Sequence, residues 1–390
     1  MRVLHVIPSL DKRDGGPSLA LPLMARSLAM QGVSVDVATT LSVGDAQQQG
    51  ITFGEPVPRE GFTVRYFKRQ MHFYKVSMPL WTWLRDHVQD YDLVHNHALF
   101  SFAPIAGARA ARKNAVPYVM RPLGLLNTWG MENRRRWIKA ISFRLIERPA
   151  LEHAAAIHYT STAEQHEADR LQLNGKPHVV PLGIDLGPLQ RDSSQQFLNR
   201  FPQARGRRIV LFLSRLDPKK GVELLLKAFA NVTQDDHNAI LVIAGQGKPS
   251  YETGLQNLAA SLQLEKDVLW TGFLDGDDKY AALAAADVFV LPSHSENFGI
   301  ALVEALAAGK ACIATDGVAV ADDMRQGDAG LVIPCNDVPA LTAAMNQLLT
   351  DDALRSRLGG NATRLAAERF SLEASGAALA KLYAQIVQRH

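Results

Sequence analysis

Cysteine is scarce in this chain, with only Cys312 and Cys335 in 390 residues. Two thiols cannot build a disulfide framework or a four-ligand zinc site, so a reducing, cytoplasmic setting is the expectation. Long apolar runs are missing too: no stretch approaches the roughly 18 residues that a membrane-spanning helix needs. The apolar opening MRVLHVIPSL is too short for a signal peptide, and neither export nor membrane integration is expected. Short-period repeats and low-complexity tracts are absent. A composition of 47% apolar and 21% charged residues excludes disordered and fibrous classes and leaves an ordinary globular protein. The length suggests two or three domains, each with its own core.

The net charge of +3 hides an asymmetry. Residues 1–190 carry 22 Lys and Arg against 16 Asp and Glu, whereas residues 191–390 carry 20 against 23. The excess concentrates in 59–148, with 16 basic and 6 acidic residues. Such a bias bears on what one half touches rather than on fold.

Short β-branched runs alternate with stretches of helical period. Strands are expected at Val3–Ile7, Val33–Thr39, Thr63–Phe67, Asp92–His97, Tyr118–Arg121, Ala156–Thr160 and Val179–Leu182. A second series follows at Ile209–Ser214, Ile240–Ala244, Val268–Thr271, Val288–Leu291, Ala311–Ala314 and Gly330–Ile333. Continuous apolar strands with crossover helices predict parallel sheets covered on both faces. The expected fold class is therefore α/β, with two doubly wound Rossmann-like domains facing a central cleft. The join is placed in the Gly- and Pro-bearing stretch Gly183–Pro188, where a hinge could act. The expected division is 1–187, 188–370, and a terminal segment 371–390.

Residues 294–304 read HSENFGIALVE, so that Glu296 and Glu304 bracket a small apolar run with seven residues between them. Asp287–Ser293 is expected as a buried strand, and a helix begins near Gly299 at its carboxyl end. The free N–H groups and positive dipole of that helix would seat an anion or a sugar hydroxyl. Taken alone, the two acids read equally well as a dipole partner and a solvated helix position. A second loop, Ser214–Gly221 (SRLDPKKG), follows another strand and opens another helix. Arg215 and Lys220 there suit a diphosphate, and suit the charge that grows as a phosphate leaves.

Together, SRLDPKKG, DVFVLPS, ENFG…EALAAG and GLVIP at Gly330–Pro334 resemble the retaining glycosyltransferases of family 4, which have the GT-B fold. The resemblance spans the C-terminal half; the N-terminal half joins it through Gly15-Gly16-Pro17-Ser18 and His95-Asn96-His97. It implies a nucleotide-sugar donor held by 188–370, an acceptor bound by 1–187, and a terminal helix crossing back to the first domain. Arg215 and Lys220 match the pair that holds the donor diphosphate. Glu296 matches the acid that contacts the transferred sugar, and Glu304 the acid that binds the ribose hydroxyls. Phe298, Gly299 and Ile300 would offer backbone N–H groups, and Leu274 falls where backbone meets the base. Gly16 matches a glycine loop that lets the chain approach the donor phosphate. His97 matches a histidine beside the transferred sugar; any one of twelve histidines is more often structural than catalytic, but one at a strand's cleft end is a better candidate than average. His95 is expected to point the other way.

The implied reaction is a retaining, metal-independent transfer of a hexose from a nucleotide diphosphate sugar, with a UDP-sugar such as UDP-glucose favoured. No cofactor and no metal are expected. Asp275-Gly276-Asp277 reads as an N-cap for the following helix rather than a metal motif. Gly245-Gln246-Gly247 lacks the third glycine of a dinucleotide fingerprint.

Aromatics mix with basic residues in two places of the first half. Trp129, Arg134, Arg135, Arg136, Trp137, Lys139, Ile141, Phe143 and Arg144 lie in one, and Phe62, Tyr66, Phe67, Lys68, Arg69, Phe73, Tyr74 and Lys75 in the other. Either could be a solvated helix face with a buried stripe. The alternative is a surface in 59–148 that leans on anionic lipid headgroups. The expected partners are then a nucleotide-sugar donor and a lipid-linked saccharide acceptor, in surface polysaccharide assembly at the inner face of the membrane; without such a surface a small soluble acceptor fits as well, and the remaining alternative is a partner subunit that binds nucleotide-sugar without turnover. No groove-reading motif points to nucleic acid.

Overall fold

A computed structural model describes residues 1–11, 16–71, 73–126, 136–233 and 238–390. The chain forms two compact units, Met1–Gly183 with Leu372–His390, and Ile184–Ser371. The second unit begins at Ile184 because its N–H donates to the Phe370 carbonyl at 2.8 Å, closing the unit on its own last segment.

The first unit holds β1 (Arg2–Ile7), β2 (Ser34–Leu41), β3 (Pro56–Arg59), β4 (Phe62–Lys68), β5 (Leu93–His97), β6 (Tyr118–Arg121), β7 (Ala156–Tyr159) and β8 (Pro177–Val179). They form one sheet in the order β3-β4-β2-β1-β5-β6-β7-β8, parallel except for β3. Sequence periodicity missed β3, whose four residues include two prolines; proline cannot donate to a ladder, which confines such a strand to an edge. β8 pairs in register with β7 through His158 and His178, so it lies earlier than the expected Val179–Leu182. Order reverses between β1 and β5. The helix Phe102–Lys113 covers one face; its alanines and Gly107 let it approach so closely that a Cβ at Gly107 would strike the Asn96 amide. Helices α1 (Gly16–Met30) and α5 (Leu372–Val387) pack against each other, with Gly376 seated on the Ser27 carbonyl.

Residues 136–152 form α2 (Arg136–Ser142), a π-turn Phe143–Glu147 and a further turn Arg148–Glu152. Glu147 is fully buried and accepts from the Tyr74 hydroxyl at 2.6 Å and the Ser142 hydroxyl at 3.0 Å. Burial raises its pKa.

The second unit holds β9 (Arg208–Leu213), β10 (Ala239–Ala244), β11 (Val268–Gly272), β12 (Val288–Leu291), β13 (Ala311–Thr315) and β14 (Gly330–Ile333). Their order is β11-β10-β9-β12-β13-β14, all parallel, and it reverses between β9 and β12. Both units are therefore doubly wound, and ligands of such sheets bind beyond the carboxyl ends of the strands at the reversal. The central strands β9, β10, β12 and β13 are buried along almost their whole length, as continuous apolar runs require when helices cover both faces. Two short helices matter below: α3 (Gly276–Ala285) after β11, and α4 (Ile300–Ala307) after β12.

Candidate functional site

In the second unit, the loops at the carboxyl ends of β9 and β12 bring together the residues singled out by sequence. Gly221 has φ +68°, and a Cβ there would strike the Pro292 carbonyl. The turn Pro218–Lys220 therefore lies directly on the segment following β12, and the His294 N–H donates to the Lys219 carbonyl at 2.8 Å. Lys220 and Glu296 form an ion pair whose side chains are 12% and 18% exposed. The backbone of Glu296 is pinned on both sides, its N–H to the Gly317 carbonyl (2.9 Å) and its carbonyl to the Ala319 N–H (3.1 Å). Arg215 stands exposed in the loop after β9. That loop is shaped by the glycines of Gly245-Gln246-Gly247: a Cβ at Gly245 or Gly247 would strike the Ser214 or Leu216 carbonyl. Close packing accounts for these glycines, without any dinucleotide.

Gly299 holds a left-handed backbone (φ 96°, ψ 56°) at the start of α4, and no side chain caps the first turn. A Cβ on Gly299 would come within 2.9 Å of Val318. Phe298 is buried, its ring edge-on to Phe370 at 5.9 Å, so only its backbone is free to serve a ligand. Ile300 is the first helical residue and half-buried. Glu304 lies one turn into α4 and accepts from Lys279 of α3 at 2.6 Å. Sequence reasoning missed Lys279; a lysine four residues beyond Asp275 carries no signal until α3 is packed beside α4. Leu274 is a buried side chain in the link between β11 and α3, which leaves its backbone as the available part. Asp275 occupies the N-cap of α3, but its carboxylate makes no capping bond, so the expected side-chain cap is replaced by Asp277 and Asp278 in the first turn.

In the first unit, Gly16 opens α1, exposed, with nothing within 4 Å of where a Cβ would lie. Gly15 lies outside the described residues. His97 ends β5. His95 does not point the other way: side chains alternate along a strand, so residues two apart share a face. It is Asn96 that faces the helix Phe102–Lys113, while the His95 and His97 rings lie 4.2 Å apart on the opposite face. His5 of β1, directly opposite His95 in register, joins them. So do His158 of β7 and Tyr383, which α5 supplies. All four histidines are fully buried. Desolvation, with help from the neighbouring Arg121 guanidinium, pushes His5 and His158 down to about 3 and His95 and His97 well below the usual imidazole value. Arg121, itself buried, is lowered to about 10 and stays cationic.

Ring nitrogens of His5, His95 and His97 lie within 4.8 Å of one another, a spacing at which a metal could be sought. The geometry does not suit one. His5 Nδ1 and His97 Nε2 are 2.9 Å apart, shorter than the roughly 3.3 Å between two nitrogens on a tetrahedral ion with 2.0–2.1 Å bonds. His95 Nδ1 is already taken by the Tyr383 hydroxyl at 2.6 Å. The rings are bonded to one another.

Two family models match in succession, a glycosyl transferase 4-like domain over residues 15–183 and glycosyl transferases group 1 over 194–365. The chain belongs to the group 1 glycosyl transferases. An alpha-D-kanosaminyltransferase of Streptomyces kanamyceticus is 33% identical over 46% of this chain and 46% of its own length, so the chain matches about half of such a relative. An O-antigen chain mannosyltransferase C of Escherichia coli is 25% identical over 100% of this chain and 99% of its own. Among solved structures, HepE of Anabaena, in complex with UDP and glucose, superposes with a TM-score of 0.76 at 21% identity, covering 99% of this chain and 100% of its own. This places the transferase in the GT-B fold. No helix among the described residues is long and apolar enough to cross a membrane.

Proposed function

We propose that this transferase moves a hexose from a nucleotide diphosphate sugar, a UDP-sugar such as UDP-glucose being favoured, to a hydroxyl of a lipid-linked saccharide, with retained configuration and without a metal. The observation that carries the reading is the Lys220–Glu296 pair beside the uncapped start of α4, at the β9–β12 reversal. Lys220 and Arg215 would take the diphosphate, Glu296 the transferred sugar and Glu304 the ribose. Backbone of Phe298, Gly299 and Ile300 would serve the sugar and phosphate, and Leu274 the base. The family resemblance gives Gly16 and His97 of the first unit a part in donor recognition as well; packing does not require glycine at 16.

As the bond to the anomeric carbon breaks, negative charge gathers on the leaving phosphate. Two fixed cations and a helix dipole stabilise it there, and such preorganised groups are often the largest catalytic term. The acceptor hydroxyl then arrives on the same face and gives its proton to the departing phosphate oxygen. Binding diphosphate exchanges Lys220 from Glu296 to the ligand, which frees the carboxylate for sugar hydroxyls.

The lipid-linked acceptor rests on the exposed face of α2 and the turn after it. Trp137, Ile141 and Leu145, spaced four apart, are 69%, 54% and 68% exposed. Phe73, next to the Tyr74 whose hydroxyl bonds Glu147, is exposed, and so is Arg144 in the turn after α2. Apolar and cationic side chains of this kind suit an anionic membrane surface at the inner face of the cell membrane. Tyr66, Phe67 and Phe143 belong to the core instead, and Trp129, Arg134 and Arg135 lie outside the described residues. The O-antigen chain mannosyltransferase supports a saccharide acceptor, and the HepE complex supports UDP.

A thermal-shift panel of UDP, GDP and ADP, each with and without EDTA, tests the donor site. One diphosphate should raise the melting midpoint, by an amount that grows with its excess over the dissociation constant, and EDTA should not change it. No shift from any of the three would sink the assignment of Arg215, Lys220 and Glu304.

A further inference from the structure

The buried histidines of the first unit have only two ways to share their protons, and a single backbone carbonyl decides between them. His158 Nε2 lies 2.8 Å from the Val180 carbonyl, which can only accept. That nitrogen must carry the proton, and in a neutral ring His158 Nδ1 is then bare. It faces His95 Nε2 at 3.4 Å, so His95 carries its proton on Nε2 and keeps Nδ1 bare. The Tyr383 hydroxyl donates to that atom at 2.6 Å. With its one proton used, the Tyr383 oxygen accepts from His5 Nε2 at 3.4 Å, leaving His5 Nδ1 bare. His97 Nε2 donates to it at 2.9 Å. What remains at the end is His97 Nδ1, buried and without a partner among the described residues. The opposite polarity is self-consistent from His95 to His97, but it sets two lone pairs face to face between His158 and His95. Charging any ring would break the alternation, and burial beside the Arg121 guanidinium keeps all four neutral.

We propose that Val180, His158, His95, Tyr383 and His5 form a one-way hydrogen-bond relay that fixes His97 with its proton on Nε2 and leaves Nδ1 as a bare acceptor for a ligand hydroxyl. His5 and Tyr383 are positioning residues in this scheme, and α5 contributes to the site through the Tyr383 hydroxyl. His97 Nδ1 cannot donate to a phosphate or carbonyl oxygen; it can only accept, as from a ligand hydroxyl. This last step rests on the proposed donor site, whereas the tautomer itself does not depend on it.

The experiment is nitrogen NMR of the full chain labelled with 15N-histidine, read at pH 7 without ligand. His97 Nδ1 should show an unprotonated, pyridine-type shift and Nε2 a protonated, pyrrole-type shift. A protonated Nδ1 would overturn the relay whether or not the protein transfers sugar. Tyr383→Phe cuts the relay and His158→Leu removes its anchor, and in each the His97 Nδ1 resonance should move toward the protonated value. If Tyr383→Phe does not fold, His158→Leu carries the test, and an unmoved resonance in a folded variant overturns the proposal. With a donor in hand, His5→Asn, which keeps an acceptor near the position of Nδ1, should retain most of kcat. His5→Leu should lose about tenfold or more, and equal losses in the two would also overturn it. Absence of turnover with every donor would count against the proposed function and leave the NMR result standing.

Discussion

Acid should unfold the first unit far more steeply than its carboxylates alone would require. Four histidines, His5, His95, His97 and His158, are fully buried and neutral, with His5 and His158 brought down to about 3. In the unfolded chain each titrates near 6.5. Above that pH neither state holds the extra protons, and the stability of the unit is fully present. As pH falls below it, only the unfolded chain gains protons, so stability drops and goes on dropping until the lowered folded-state values are reached. His5 and His158 each cost about 1.9 kcal/mol between pH 7 and pH 5, about 4 kcal/mol together, and His95 and His97 act in the same direction. That is a large part of the whole stability of an ordinary domain, about 5–15 kcal/mol. The Arg121 guanidinium, cationic throughout, and Tyr383, whose phenol burial keeps protonated, add no titration of their own in this window. Melting followed by circular dichroism from pH 8 to pH 5 should show the midpoint fall by at least roughly 8–15 °C. Replacing His158 with Gln should remove about a quarter of the slope. A midpoint that stays flat between pH 7 and pH 5, or any of these four rings titrating above pH 5 in the folded protein, would refute the reasoning.

The donor site and the exposed face of α2 yield three further expectations. Arg215→Ala, at an exposed position, should leave the melting temperature within about 1–2 °C and lower kcat/KM by about 10²-fold, read by initial rates of nucleotide release. Gly221→Ala should cost about 1–3 kcal/mol and abolish donor binding, because a left-handed φ and the Pro292 carbonyl both exclude a Cβ; urea unfolding and nucleotide titration check the two parts. Trp137→Asp together with Ile141→Asp should abolish flotation with anionic vesicles while stability changes by no more than about 0.5 kcal/mol, since both side chains are more than half exposed.

Much of the fold is legible in the sequence because parallel strands buried on both faces are written as unbroken apolar runs. β9, β10 and β12 read as such runs, and the structure places them within a residue of the expected bounds. β3 was not legible, since a proline-bearing edge strand has no periodicity of its own. The acid pair Glu296 and Glu304 was legible as spacing, yet their partners Lys220 and Lys279 differ in kind. Lys220 belongs to a local motif, whereas Lys279 meets Glu304 only because two helices pack side by side. The histidines were misread at one step: His95 and His97 are two residues apart, and strand geometry alone puts them on one face.

By itself the sequence determined the alternation of strands and helices, the two doubly wound sheets, and the loop chemistry at the ends of β9 and β12. Each is local: a side-chain period, a turn that needs glycine, a cation beside a helix start. Only tertiary structure decided that His5, His95, His97, His158 and Tyr383 form one hydrogen-bonded set. They come from three strands and a helix separated by up to 378 positions in the chain. A proton's place on a ring depends on what the other nitrogen faces, and that is settled by packing alone.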